Sequence, residues 1–323
     1  MLISVGALII GFIMDLILGD PRSIPHPVVI IGKLISFLEK ILRKAFPKTV
    51  RGENLAGLVL WIIVCVLSFG VPFALLLLCR RVGWWLELIL ASIMCWQILA
   101  TKSLKDESMK VYKALLHEGT VAGRRAVSMI VGRDTENLTR EGVIKATVET
   151  VAENSSDGVV APMLFAAIGG APLGMLYKAV NTMDSMLGYV EEPYKNIGLV
   201  PAKMDDIFNF IPARLSAMIM LIAGWFLKLD VKNGWKIFKR DRMKHASPNS
   251  AQTESCLAGL LDVQLAGDAW YHGVLHKKEF IGDDIRPVKL TDIPMSCKVM
   301  YVMAALSLAL CCWIRLMIVI ALV

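Results

Sequence analysis

Apolar residues run in long stretches near both ends of the chain, and its middle interleaves them with short acidic and amide-rich runs. Four stretches, Leu2 to Leu18, Leu55 to Cys79, Trp84 to Ala100 and Val299 to Val323, come near the roughly 20 residues that a helix needs to cross a bilayer, and each predicts a spanning helix. Ile211 to Leu229 is also long enough. Val159 to Tyr177 is broken by Pro162, Gly169, Gly170, Pro172 and Gly174, residues that interrupt helices. The polar connections read as helices too. In MIVGRDTENLTREGVIKATVETVAEN, the rhythm through Leu138, Val143, Ile144, Val148 and Val151 predicts a helix that starts at Asp134 or Thr135 and ends by delivering Glu149 and Glu153. In KRDRMKHASPNSAQTESCLAGLL, Asn249 or Ser250 after Pro248 caps a helix running through Leu261, with Asn249 and Gln252 spaced as a capping box. Strand signals are scarce. The fold class is therefore all-α, a polytopic integral membrane protein with about 4–6 spanning or re-entrant helices and cytoplasmic polar helical regions. It reads as one membrane-embedded domain over 1–323, with polar connections near 19–54, 101–158, 178–210 and 230–298.

Composition sharpens that picture. With 56% hydrophobic residues among 323 and a mean hydropathy of +0.59, the chain is too apolar for an ordinary soluble domain. The first segment has no basic start, carries Asp15 and runs into GDP without a small-residue cleavage pattern, so it reads as a retained helix and not a signal peptide. The net charge of +7 is spread over the polar connections instead of forming one dense tract, which argues against nucleic-acid binding. It does set orientation. Lys33, Lys40, Arg43, Lys44, Lys48 and Arg51, the basic Lys102 to Lys145 region, and Lys228 to Lys298 all belong on the cytoplasmic side. The short link with Arg80 and Arg81 then lies outside. Val159 to Tyr177 and Ile211 to Leu229 must both cross, or neither, and a re-entrant or interfacial placement of both keeps the polar centre together. The seven cysteines include no CxxC pair, so they read as packing residues and not as a zinc or disulfide framework.

Candidate chemistry sits in ETVAENSSDG, NTMDSMLGY and AKMDDIFN. Two carboxylates about 4 Å apart repel by roughly 4 kcal/mol at the effective dielectric of a protein surface, so converged acids call for a cation. Glu149, Glu153 and Asp157 recur at helical spacing, as do Lys178, Asn181 and Asp184, and Asp205 or Asp206 with Asn209. Groups suited to phosphate are Asp20, Arg22 and His26 in GDPRSIPHPVVIIG; Arg124, Arg125 and Arg133; and the helix start at Asn249 beside Lys239, Arg240 and Arg242. His26 lies between two prolines, so it projects from a stiff turn. Asp15, inside a span, seeks a partner. GxxxxGK[ST], GxGxxG after a strand and GxSxG do not occur, so any nucleotide is bound without a Walker loop and hydrolase chemistry has no local support. The residues alone point to a membrane-bound, metal-dependent site for an anionic, phosphorylated ligand.

The ordered set GDPRSIPHPVVIIG, SMIVGRDT, ETVAENSSDGVVAP, YKAVNTMDSMLGY, AKMDDIFNFIPAR and SPNSAQTES resembles the adenosylcobinamide-phosphate synthase family of cobalamin biosynthesis, called CbiB or CobD. The resemblance implies an enzyme of the cytoplasmic membrane that joins adenosylcobyric acid to (R)-1-amino-2-propanol or its O-phosphate through an amide bond. It also implies ATP and Mg²⁺ as cofactors and membrane lipid as surroundings, and it allows contact with other enzymes of cobalamin assembly; the charge distribution adds the expectation of no nucleic acid and of an active site facing the cytoplasm. Combined with the acidic centre, the resemblance makes Glu149, Glu153, Asp157, Asp184 and His26 the catalytic candidates. Asp157, Asp184, Asp205 and Asp206 become the metal candidates, and Asp20, Arg125, Arg133, Asn154, Lys178, Asn181, Arg214 and Asn249 the substrate and phosphate candidates. Two rival readings are an ion-coupled transporter, suggested by Asp15 and the broken apolar segments, and a non-catalytic membrane sensor of the same fold.

Overall fold

Lipid offers backbone groups no hydrogen-bond partners, so apolar runs must satisfy them internally as helices. The structure, a computed structural model describing residues 3–21, 26–271 and 273–321, follows that rule. Arg22, one of the phosphate candidates, lies outside the described residues. In chain order the helices are α1 (Ile3–Leu18), α2 (Pro27–Ala45), α3 (Val50–Val82), α4 (Trp84–Ile98), α5 (Thr101–His117) and α6 (Thr120–Val127). Then come α7 (Arg140–Asn154), a π-helical turn (Ser155–Val160), α8 (Ala161–Leu187), α9 (Leu199–Phe226), α10 (Val231–Asp241) and α11 (Ser250–Leu260). Strands β1 (Leu265–Ala266), β2 (Ala269–Tyr271), β3 (Val274–His276) and β4 (Phe280–Ile281) precede α12 (Asp292–Ala321). These strands are two or three residues long, too short to show a period in the sequence. They pair antiparallel as β1 with β4 (Leu265 opposite Ile281) and β2 with β3 (Trp270 opposite Leu275). Among the described residues five helices are long and apolar enough to cross a membrane, and α1 is a shorter apolar helix, so the protein is a multi-pass, all-α membrane protein. By packing, the chain divides into two compact units.

The first unit holds residues up to Ala100, Ala161–Asn209 and the chain from Leu308. Here α1 lies tight against α4: a Cβ at Gly11 would fall 2.5 Å from Cys95 Cβ and 2.8 Å from Ser92 O, so only glycine allows the approach. Thr49 caps α3 by accepting the Gly52 N–H at 3.1 Å, and the single residue Gly83 joins α3 to α4. A core of Ile35, Leu60, Val64, Val180, Met183 and Leu187 ties α2, α3 and α8 together. Outward, α1 and α3 expose Ile13, Ile17, Val66 and Leu78, a surface suited to lipid and costly in water.

Within α8, Gly169 and Gly170 leave the helix, Gly170 at φ +75°. A Cβ at Gly174 would lie 3.3 Å from Ala166 Cβ and 3.4 Å from Pro162 O, whereas in a continuous helix residues twelve apart stand about 18 Å from one another. The chain therefore doubles back as a helical hairpin within Val159 to Tyr177, whereas Ile211 to Phe226 continues α9 without a break. The break frees carbonyls at the end of the first leg, and Arg315 of α12 takes up Ile168 O at 3.0 Å.

The second unit holds Thr101–Val160 and Phe210–Ser307. Its helix α7 starts five residues later than the pattern suggested. Thr139 caps it by accepting the Gly142 N–H at 3.0 Å, while Asp134 is drawn into the β2–β3 hairpin, accepting from Gly273 N at 2.8 Å. Every residue of α11 is buried. The capping box read at Asn249 does not form: Asn249 makes no side-chain cap bond, and Gln252 Nε2 instead donates to Pro248 O at 2.9 Å and Arg242 O at 3.2 Å. Gly259 lets α11 meet α10, where a Cβ would fall 2.7 Å from Gly234 Cα. Asp241 at the end of α10 is fully buried and accepts from Gly282 N at 2.8 Å, from Arg240 and from Lys244. Burial alone would raise its pKa, but these donors hold it down at about 2.

Candidate functional site

In the second unit, α7, the loop before it, α11 with its preceding loop, and the β-segment line a polar pocket of ≈ 130 Å³. Arg133 from the loop pairs with Glu149 of α7, both largely buried. Burial opposes the Arg133 charge, but the Glu149 carboxylate outweighs it and holds its pKa above the ordinary guanidinium value. Glu149 also accepts the N–H of Ala266 at 2.8 Å, which steadies Ala266 in the left-handed region at φ +60°. A non-glycine residue there costs about 1–2 kcal/mol, so the pocket wall is held under tension by the carboxylate. One turn on, Glu153 accepts from Ser250 Oγ at 2.7 Å. Asn154 lines the pocket with its amide bonded to Thr150 O at 3.0 Å.

Three lining groups were not singled out from the sequence: Glu254, His245 and Lys278. Glu254 sits on the wholly buried α11. Burial first, then the Glu153 and Glu149 carboxylates, push its pKa well above the usual carboxylate range. It lies in SPNSAQTES, and a carboxylate two residues before the apolar CLAGLL was its available signal. His245 accepts the Ser247 N–H on Nδ1 at 3.1 Å, so its neutral ring carries the proton on Nε2, and burial lowers its pKa. Lys278 Nζ donates to the Tyr271 hydroxyl at 2.8 Å and stands 4.8 Å from that ring's centre.

The first unit assembles a second polar group. Tyr177 donates its hydroxyl to Asn209 Oδ1 at 2.7 Å, and Asn209 Nδ2 donates to Asp205 Oδ2 at 2.9 Å. Asp205 is buried, and its other oxygen makes no hydrogen bond among the described residues. Asp184 and Asn181 of α8, with Asp206, are its polar neighbours. The two stripes read on α8 and α9 thus meet. A carboxylate pair with one orphaned buried oxygen suits a hard divalent cation that keeps waters and phosphate oxygens as its other ligands. Among the described residues no three or more His, Cys, Asp or Glu side chains form a metal cage by themselves.

The remaining candidates are placed elsewhere. Asp157 lies on the π-helical turn, not on α7, and does not line the pocket with Glu149 and Glu153; the wider turn changes the angular phase on which an i, i+4 stripe depends. Arg125 is exposed on α6, away from the pocket lining. Lys178 stands on α8, one turn before Asn181. His26 caps α2, accepting the Val28 N–H on Nδ1 at 3.3 Å, and its Nε2 is 3.5 Å from Asp20 Oδ1. Arg214 of α9 stacks on Phe210 and donates to Asn249 Oδ1 at 3.3 Å. The basic group proposed beside Asn249 is largely spent: Arg240 binds Asp241 and Asp283, while Lys239 and Arg242 lie over Trp235 and Phe238.

The family model for CobD/Cbib protein matches residues 8–300, which include both polar groups. The chain belongs to this family. It is 46% identical to the cobalamin biosynthesis protein CobD of Clostridium perfringens over 88% of its own length and 90% of the relative's. It is 44% identical to CobD of Clostridium tetani, over 91% of this chain and 92% of that one. To the cobalamin biosynthesis protein CbiB of Salmonella typhi it is 41% identical, over 93% and 94%. No solved structure matches.

Proposed function

We propose that this CobD/CbiB family member acts in cobalamin biosynthesis as an ATP-dependent amide ligase, joining adenosylcobyric acid to (R)-1-amino-2-propanol or its O-phosphate. The names of its relatives support the pathway, and the site chemistry supports the reaction. Amide formation from a carboxylic acid needs that acid activated and an amine held beside it. ATP with Mg²⁺ would supply the activation, a process that depends mostly on positioning and charge neutralisation. Asp184 and Asp205 would hold the metal, with Asn209 and Tyr177 fixing the Asp205 carboxylate. The observation that carries the reading is the pocket of Arg133, Glu149, Glu153, Glu254 and Lys278, where acids and bases line one small cavity. Carboxylates there would orient an ammonium group and take up the proton it must lose before its nitrogen can attack an activated acid. We place the site on the cytoplasmic side of the cell membrane, because the connections that build the pocket are the basic ones.

The test is reconstitution. Purified protein in lipid nanodiscs, given adenosylcobyric acid, magnesium ATP and aminopropanol phosphate or aminopropanol, should yield the amide by mass, with none formed when ATP or the metal is omitted. Folded protein that gives no product with either amine would refute the assignment.

A further inference from the structure

The charges around the cavity of the second unit do not balance, and the excess has a sign. Among its lining groups, Arg133 and Lys278 offset two of the three glutamates, Glu149, Glu153 and Glu254. Both cations are engaged, Arg133 by Glu149 and Lys278 by the hydroxyl and ring of Tyr271. An anion would therefore find no free positive partner. Glu254 is 5% exposed, lines the cavity and makes no side-chain hydrogen bond among the described residues. A buried carboxyl without partners beside two others carries a proton until a cation arrives.

We propose that this pocket takes a small primary ammonium ion, whose charge replaces a proton on the glutamate triad. Size comes first: the ≈ 130 Å³ pocket has room for the ammonium end of a small amine. Chemistry comes second. The described residues offer no metal cage here, whereas an ammonium brings its own N–H donors to the Glu153 and Glu254 oxygens and its charge to the Tyr271 ring. The groups facing Glu254 are Glu149 and Glu153 from α7, Arg133 from the preceding loop, His245 from the loop before α11, and Lys278 with Tyr271 from the β-segment. His245 presents Nε2–H as a donor and so is not the base. The role as nucleophile site rests on the amide-forming reaction proposed above. Glu254 takes back one proton from the bound ammonium, one N–H bond breaking as one O–H bond forms, and leaves a neutral amine ready to attack.

Titration calorimetry on the whole protein in phosphatidylcholine nanodiscs tests this, with ethanolamine as the probe and tetramethylammonium as the control without N–H groups. Runs in phosphate and in HEPES buffers count protons. About one proton should leave per ethanolamine bound near neutral pH, affinity should rise with pH, and tetramethylammonium should bind more weakly. Glu254→Gln should release no proton and bind about 10–100-fold more weakly. If that variant fails to fold, Glu254→Asp should keep the proton release. Ethanolamine binding without proton release, unchanged binding in Glu254→Gln, or no binding at all overturns the proposal. Binding with proton release in a protein that makes no amide would instead remove the ligase reading and leave the ammonium site standing.

Discussion

Replacing Arg133 with methionine strips Glu149 of its charge partner while keeping much of the side chain's volume. The two groups are 16% and 6% exposed, so water cannot replace the guanidinium. Removing one member of such a buried pair costs about 3–5 kcal/mol, because the other charge stays behind. Glu149 keeps the Ala266 N–H at 2.8 Å, a charge-assisted bond that places the expected loss near the lower end, about 3 kcal/mol. At roughly 2–4 °C per kcal/mol for a unit of this size, unfolding should shift down by about 6–12 °C. Tryptophan fluorescence on heating reads this, since the chain has eight tryptophans, Trp270 among them in β2. Glu149→Gln added to Arg133→Met removes the stranded charge and should recover about 1–2 kcal/mol, giving a non-additive cycle. A loss under about 1 kcal/mol with strictly additive single variants would refute the view that this pair braces the pocket.

Gly174→Leu should cost about 1–3 kcal/mol, because a Cβ there falls 2.5 Å from Ile98 Cδ1 of α4, 3.3 Å from Ala166 Cβ and 3.4 Å from Pro162 O on the other leg; an unshifted melting curve would argue against this close packing of the hairpin. Asp241 has a folded pKa of about 2, below its ordinary 3.8, so it stabilises the ionised fold above about pH 4 and that contribution fades as pH falls toward 2. Asp241→Asn should lose about 1–3 kcal/mol at pH 7 and show a flatter stability profile between pH 4 and 2, measured by thermal melts across pH; an identical profile would contradict it. Asp184→Asn should lower amide formation about 100-fold or more while leaving membrane insertion and melting temperature intact, and chelation of divalent cations should do the same to the parent protein; full turnover in either case would remove the metal role.

Composition and long-range pattern determined the all-α, membrane-spanning class, because burying backbone polar groups in lipid leaves few solutions for apolar runs of this length. The same reasoning made the break at Gly169 and Gly170 legible, as two glycines and Pro172 cannot continue a helix under load. Helical spacing also put Glu149 and Glu153 on one face of α7, Asn181 and Asp184 on one face of α8, and Asp205 and Asn209 on one face of α9, but that Arg133 joins the first pair and that the α8 and α9 stripes meet came only from the tertiary structure.

Spacing could not report a change of helix type. The π-helical turn at Ser155–Val160 takes Asp157 off the α7 stripe, and only tertiary packing reveals that shift. Nor could it foresee that Asp134 would serve a strand hairpin and leave the α7 cap to Thr139, since both can cap and their distant partners decide between them. Glu254 shows the division most plainly. In the sequence it is one polar residue among several in SPNSAQTES, and it becomes the third acid of a shared cavity only because α11 is buried on every side and brought against α7, where Ser250 bonds Glu153 across 97 positions of the chain. Local pattern fixes which groups a helix presents, and the electrostatics of a site depend on which elements the fold brings to face one another.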